Sequence, residues 1–134
     1  MKVVIDTNIL LVCISSRSSM NWVWQSLLAR KFTLCFTTDI LSEYEEIIGE
    51  HMGFETAEFV ISTILNLKNV EFVTTWYKFL LLTDADDDKY VDCAVASNAE
   101  FIVSHDKGFN QLKKIPFPKV KVINSDAFKK RLNL

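Results

Sequence analysis

Five short apolar runs recur along the chain, and between them the sequence switches to helical spacing. The runs are KVVI at 2–5, FTLCF at 32–36, VEFV at 70–73, FIVS at 101–104 and KVKVI at 119–123. Each reads as a strand, and the unbroken KVVI as one buried on both faces. Helical spacing covers Met20 to Lys31 through Trp22, Val23, Leu27 and Leu28. Thr37, Thr38 and Asp39 offer the start of a helix whose apolar face is Ile40, Leu41, Tyr44, Ile47 and Ile48. Glu55 to Leu67 carries a stripe of Phe59, Val60, Ile64 and Leu67. Shorter helices are expected from Asn8 to about Ser15, from the acidic run at 84–88 to about Ala99, from Phe109 to Ile115, and from Asp126 to Leu132 with Ser125 as cap. Strands alternating with helices predict an α/β fold, a parallel sheet covered on both faces with right-handed crossovers.

No composition shift or linker divides the 134 residues, so residues 1–134 are expected to form one domain. A hydrophobic share of 49% excludes a disordered chain, and three glycines with two prolines argue against a loop-rich one. Cys13, Cys35 and Cys93 stand far apart and form no C-x-x-C, which suits buried thiols in a reducing, cytoplasmic setting. No apolar run approaches the ~18 residues of a membrane span. Asp6 and Asn8 interrupt the apolar N-terminal stretch, which is therefore read as a strand and helix start and not as a signal peptide. Phe32, Phe36, Phe59 and Phe72 are assigned to packing, while Trp76, Tyr77 and Phe79 suit either core or rim.

Charge is unevenly placed. Residues 1–106 hold seven Lys/Arg against sixteen Asp/Glu, and residues 107–134 hold eight against one, within a net charge of −2. A basic end beside an acidic body suits a polyanion that also needs a metal, although lysines on a C-terminal surface helix would look the same.

The acids concentrate where a parallel sheet binds ligands, beyond the carboxyl ends of its strands. Asp6 follows the first predicted strand and Asp106 the fourth. TDADDDKYVDCAVA, at 83–96, leads out of the third and opens a helix with Asp84, Asp86, Asp87, Asp88 and Asp92. Asp88 and Asp92 are four apart and share a face of that helix. Glu43 lies in the first turns of the helix after the second strand, between Ile40 and Ile47. Like charges this close are costly unless a cation neutralises them. Oxygen ligands without Cys or His at metal spacing point to Mg²⁺ or Mn²⁺ and away from zinc. Such a site suits phosphodiester hydrolysis.

Each acid also admits a plainer role. Asp6 can cap a turn, Asp84, Asp86 and Asp87 can answer the helix dipole, Asp106 can belong to an Asp-x-Gly turn, and Glu43 can be a solvated helix charge, as Glu45 and Glu46 are expected to be. Asp6 and Asp106 at matching strand ends, with the acidic helix start between them, argue for a shared site. An EF-hand is excluded, because Lys89 replaces the required glycine and Val95 the twelfth-position Glu. P-loop, dinucleotide-binding and nucleophile-elbow motifs are missing. Asp6-Thr7-Asn8 lacks the second acid of a dehalogenase-type phosphatase or a receiver domain. A binding module whose acids hold a structural ion remains open. His105 is read as a neighbour of the site and not as its base.

VVIDTNILL, SEYEEII and DADDDKYVDCAVASNAEFIVSHDKGF, with a final short strand, resemble the PIN domain over nearly the whole chain. Within it they are most similar to toxins of toxin–antitoxin systems related to the virulence-associated C-type toxins. The resemblance implies a three-layer α/β/α sandwich around a parallel sheet, a Mg²⁺- or Mn²⁺-dependent endoribonuclease, a protein antitoxin as partner and a homodimer. A housekeeping RNA-processing nuclease is the alternative within the family. The resemblance makes Asp6, Glu43, Asp88 and Asp106 the catalytic acids, and Asp6, Asp88, Asp92 and Asp106 the metal ligands. Asn8 would orient Asp6, and Ser104 stands where relatives carry Thr or Ser. Counting back from Asp106 without a gap selects Asp88 as the third acid, whereas counting from Ala99 selects Asp87. Asp92 stands where relatives often have Glu, a shorter arm. Lys107, Lys113 and Lys114, with Lys129 to Arg131, are candidates for RNA phosphates.

Overall fold

The computed structural model describes residues 1–134. Its strands are β1 (Lys2–Ile5), β2 (Thr33–Phe36), β3 (Val70–Phe72), β4 (Phe101–Val103) and β5 (Val122–Ile123). All pair in parallel, in the order β3-β2-β1-β4-β5. The helices are α1 (Thr7–Cys13), α2 (Asn21–Leu28), α3 (Thr38–Met52), α4 (Phe54–Asn66), α5 (Asp88–Ser97) and α6 (Ser125–Arg131). Tighter 3₁₀ turns run over Ala85–Asp87 and Lys107–Lys114.

Successive residues of a strand point to opposite faces. Val3, Val4 and Ile5 are all fully buried, so both faces of the central strand are covered and the architecture is the α/β/α sandwich expected. Leu34, Cys35 and Phe36 repeat this in β2, and Phe101, Ile102 and Val103 in β4. α5 lies across β1, β2 and β4. Cys93 and Ala94 let it pack closely, and Asn98, in the left-handed conformation Asn tolerates, ends it. All three cysteines are buried and unpaired. No helix is long and apolar enough to cross a membrane.

The strand order sets the position of a crevice. The chain steps outward from β1 to β2 and β3, then returns to place β4 on the other side of β1. The carboxyl ends of β1 and β4 therefore flank the point where the winding reverses, and connections leave them in opposite directions to open a gap. Asp6 and Ser104 sit at these two ends, and the Asp6 amide donates to the Val103 carbonyl at 3.1 Å.

Several local expectations need correction. Phe59 and Phe72 are exposed, while Phe32 and Phe36 are core residues. α4 buries Ala57, Val60, Ile61 and Ile64, a face that turns Phe59 outward, and β3 is an edge strand. KVKVI contributes only Val122 and Ile123 to β5. Asn124, not Ser125, caps α6, its Oδ1 accepting from the Ala127 amide at 2.9 Å. Trp76 and Tyr77 are rim residues, 84% and 78% exposed.

Candidate active site

Asp6 is the first acid of the crevice and is almost fully buried. Its side chain makes no capping hydrogen bond to α1. The Ser104 hydroxyl instead donates to Asp6 Oδ2 at 2.7 Å, while Ser104 Oγ accepts from the Asp106 amide at 3.0 Å. One serine thus ties the carboxylate at the end of β1 to the backbone that carries Asp106. Burial pushes the Asp6 pKa above the usual carboxylate range, and the Ser104 hydroxyl partly offsets the rise. The Asn8 side chain is exposed and makes no hydrogen bond, so support for Asp6 comes from Ser104.

Asp106 behaves partly as the turn reading expects, its Oδ1 accepting from the Gly108 amide at 2.8 Å. The same turn brings it to Asp87. A Cβ on Gly108 would stand 3.3 Å from Asp106 Oδ1 and 3.6 Å from Asp87 Oδ2. The bare glycine backbone lets the two carboxylates approach. Burial, then the nearby Asp106 carboxylate, pushes the Asp87 pKa up to about 7, with smaller contributions from Asp84 and Asp6. Asp6, Asp87 and Asp106 thus come from three separate elements and sense one another's charge.

The structure places Asp88 and Asp92 differently. Both are buried to 7% exposure and face the extended segment between β3 and the acidic turn. Asp88 Oδ1 accepts from the Leu82 amide at 3.0 Å, and Asp92 Oδ1 from the Phe79 amide at 3.1 Å. Burial also raises the Asp92 pKa. Spaced one helical turn apart, these carboxylates clasp residues 79–82 as a strap. They line a cleft of about 640 Å³ with Glu43, Glu46, Lys78 and Lys89. Glu43 is ion-paired to Lys89 there and accepts from the Tyr90 hydroxyl at 3.0 Å.

Tyr90 joins the two acidic neighbourhoods, and sequence reasoning missed it. Its oxygen accepts from the Thr7 amide at 3.3 Å and is hydrogen-bonded to the Thr7 hydroxyl. A phenol has one proton. If that proton goes to Glu43, Thr7 Oγ1 must be the donor to Tyr90, giving an ordered chain Thr7–Tyr90–Glu43 beside Asp6. The available signal was Tyr90 four residues before Ala94 on the buried face of α5.

His105 is held away from the acids: its Nε2 lies 2.9 Å from Ser125 Oγ and 3.2 Å from the Ser125 amide. Lys107, Lys113 and Lys114 are exposed on the 3₁₀ turn that follows Asp106. Arg131 pairs with Glu100, and Lys129 lies over the Trp22 ring.

With the side chains as they stand, no three His, Cys, Asp or Glu groups are gathered closely enough to hold a metal ion. In donor chemistry Asp6, Asp87 and Asp106 suit a hard divalent cation, being carboxylates whose mutual repulsion helps to raise the Asp87 pKa.

A family model described as PIN domain matches residues 2–108. No curated protein sequence matches the chain. Among solved structures, VapBC2 from Rickettsia felis, bound to a DNA fragment from the VapBC2 promoter, is similar with a TM-score of 0.63 and 18% identity, over 92% of this chain and 98% of that one. The PIN domain endonuclease Utp24 gives 0.55 and 19%, over 92% and 84%. VapC20 of Mycobacterium tuberculosis, a Sarcin-Ricin loop cleaving toxin, gives 0.58 and 16%, over 81% and 92%. At these identities the likeness is one of fold.

Proposed function

The chain belongs to the PIN domain family, and from that membership we propose that it is a metal-dependent endoribonuclease acting as the toxin of a toxin–antitoxin pair. The observation that supports the reading is that Asp87 and Asp106 approach each other across Gly108 while Ser104 ties Asp6 to the Asp106 backbone, all near the reversal point of the sheet.

Asp6, Asp87 and Asp106 are the residues we assign to holding Mg²⁺ or Mn²⁺. Asp87 takes the role that the ungapped count gives to Asp88, because Asp88 and Asp92 are turned to the strap. A bound divalent cation would supply an acidified water and neutralise charge developing on the phosphate. The chain's own residues prepare the place. Ser104 orients Asp6 by donating to Oδ2, and the Gly108 amide orients Asp106 through Oδ1. Tyr90 fixes Glu43 at the edge of the crevice, where it is positioned to orient substrate or water. Lys107, Lys113 and Lys114 would draw the phosphate backbone towards the acids.

The toxin role draws on the similarity to VapBC2 and VapC20, and a protein antitoxin and a homodimer are expected with it. Buried free thiols suit the cytoplasm, and we treat residues 1–134 as one nuclease domain. The test is cleavage of labelled single-stranded RNA with Mg²⁺, with Mn²⁺ and with EDTA. Cleavage should need metal, vanish in Asp6→Asn and Asp87→Asn, and survive in Asp88→Asn. Metal-dependent stability without cleavage would favour the ion-holding module. Cleavage without growth arrest on expression would favour an RNA-processing enzyme.

A further inference from the structure

Behind the acids, on the β5 side, lies a second cleft of about 760 Å³ that shares Ser104 and Asp106 with the crevice. Its rim carries Lys107 and Lys113 from the 3₁₀ turn, and Lys119 and Lys121 from the chain entering β5. All four are exposed, and none makes an ion pair. The Lys121 carbonyl accepts from the Ile102 amide at 2.9 Å, so the backbone that presents this side of the rim is fixed to the sheet. The floor is apolar and half-buried, formed by Val120, Val122 and Ile123. The cleft at the start of α5 has the opposite character, with Asp39, Glu43, Glu46, Asp86, Asp88 and Asp92 outnumbering Lys78 and Lys89.

We propose that the Lys107–Lys113–Lys119–Lys121 groove is the binding track for a single nucleic-acid strand, which enters the acidic crevice from the β5 side alone. This deepens the nuclease reading and rests on it for the identity of the strand. Four unpaired ammonium groups along one groove match a row of phosphates, and an apolar floor accepts sugar and base faces. Continuity with Asp106 directs the track to the proposed reacting centre. The acidic cleft would repel the same strand, which makes the approach one-sided. Lys113, Lys119 and Lys121 lie beyond the residues matched by the family model, so the track belongs to this chain's own C-terminal portion.

The test is fluorescence anisotropy of a labelled single-stranded RNA with the full chain in EDTA, over a series of salt concentrations. Lys119→Gln/Lys121→Gln should weaken binding at low salt. It should also flatten the slope of log K against log salt by about 1.4, from roughly 0.7 per neutralised phosphate on a single strand. Lys31→Gln/Lys68→Gln, the same charge change before β2 and β3 at the opposite edge of the sheet, should leave the slope unchanged. Equal effects from both pairs, or none from the first, would overturn the track. Binding of a charge-matched polyglutamate as tight as that of the RNA would overturn the nucleic-acid assignment in favour of an acidic protein segment. A parallel cleavage assay separates the two readings. Metal-dependent cleavage with an unaltered slope removes the track and leaves the nuclease. Groove-dependent binding without cleavage removes the nuclease and leaves the track.

Discussion

At the scale of single residues, Asp87 and Tyr90 carry the most direct predictions. A carboxyl whose folded pKa stands above its unfolded value binds its proton more tightly in the folded chain. The stability this brings is present in acid and is lost as pH rises through the folded value. For Asp87 the window runs from about 4 to about 7, and burial of Asp6 and Asp92 acts in the same direction. In EDTA the melting temperature should therefore fall as pH rises through that window, and Asp87→Asn should flatten the fall. Mg²⁺ or Mn²⁺ at neutral pH should raise the melting temperature of the unsubstituted chain. Tyr90→Phe removes the link between Thr7 and Glu43 inside a buried network. It should cost roughly 0.5–1.5 kcal/mol in denaturant unfolding. It should also slow cleavage by freeing Glu43, and a variant with unaltered rate would remove Glu43's proposed positioning. The sequence made Asp6, Ser104 and Asp106 legible because strand ends fix where they must lie. It favoured Asp88 over Asp87 on an ungapped count, because sequence does not show that adjacent residues at a helix start point in different directions, here Asp88 to the Leu82 amide and Asp87 towards Asp106. Tyr90 was illegible because an aromatic on an apolar helix face looks like core, and here it is both core and network.

At the scale of elements, the strap from 79 to 82 is the feature with the most to test. Two carboxylates of α5 hold its backbone, and Thr83 is tied to Gln111 through two side-chain hydrogen bonds. Asp88→Ala/Asp92→Ala should release it. The expected result is faster proteolytic nicking between Trp76 and Leu82, with the sheet and its core aromatics still folded by near-ultraviolet circular dichroism. Unchanged nicking would show that the strap is held by other contacts. The helices with strong apolar spacing, α3 and α4, were legible in position and less so in phase. Phe59 was placed in the core as part of a stripe with Val60, Ile64 and Leu67, but the packed face of α4 follows the small Ala57, whose Cβ would stand 3.8 Å from a Cβ added to Gly49 of α3. β5 was over-read because lysine and valine alternate over five residues, whereas only two of them reach β4 in register.

At the scale of the whole molecule, the alternation of strands and helices made the fold legible before any coordinates. Parallel strands need crossovers, and crossovers with apolar faces cover both sides of a sheet. The order of the strands was not legible, since any of several sequences of right-handed crossovers suits the same pattern. The observed order gives the site its location, and the uneven charge gains a geometrical meaning from it. The acidic cleft and the lysine-rimmed groove are separate clefts that share no residue, so the segregation seen along the chain is also a segregation in space.

The place of β1 at the centre of the sheet has a consequence for when the protein becomes competent. Asp6 is made 98 positions before its hydroxyl partner Ser104, and β1 gains its second neighbour only with β4. While those 98 positions are made, a growing chain carries Asp6 without the serine that orients it. On the proposed reading, the acids at the ends of β1 and β4 cannot act together until β4 has docked beside β1, so assembly of the sheet would itself time the onset of activity.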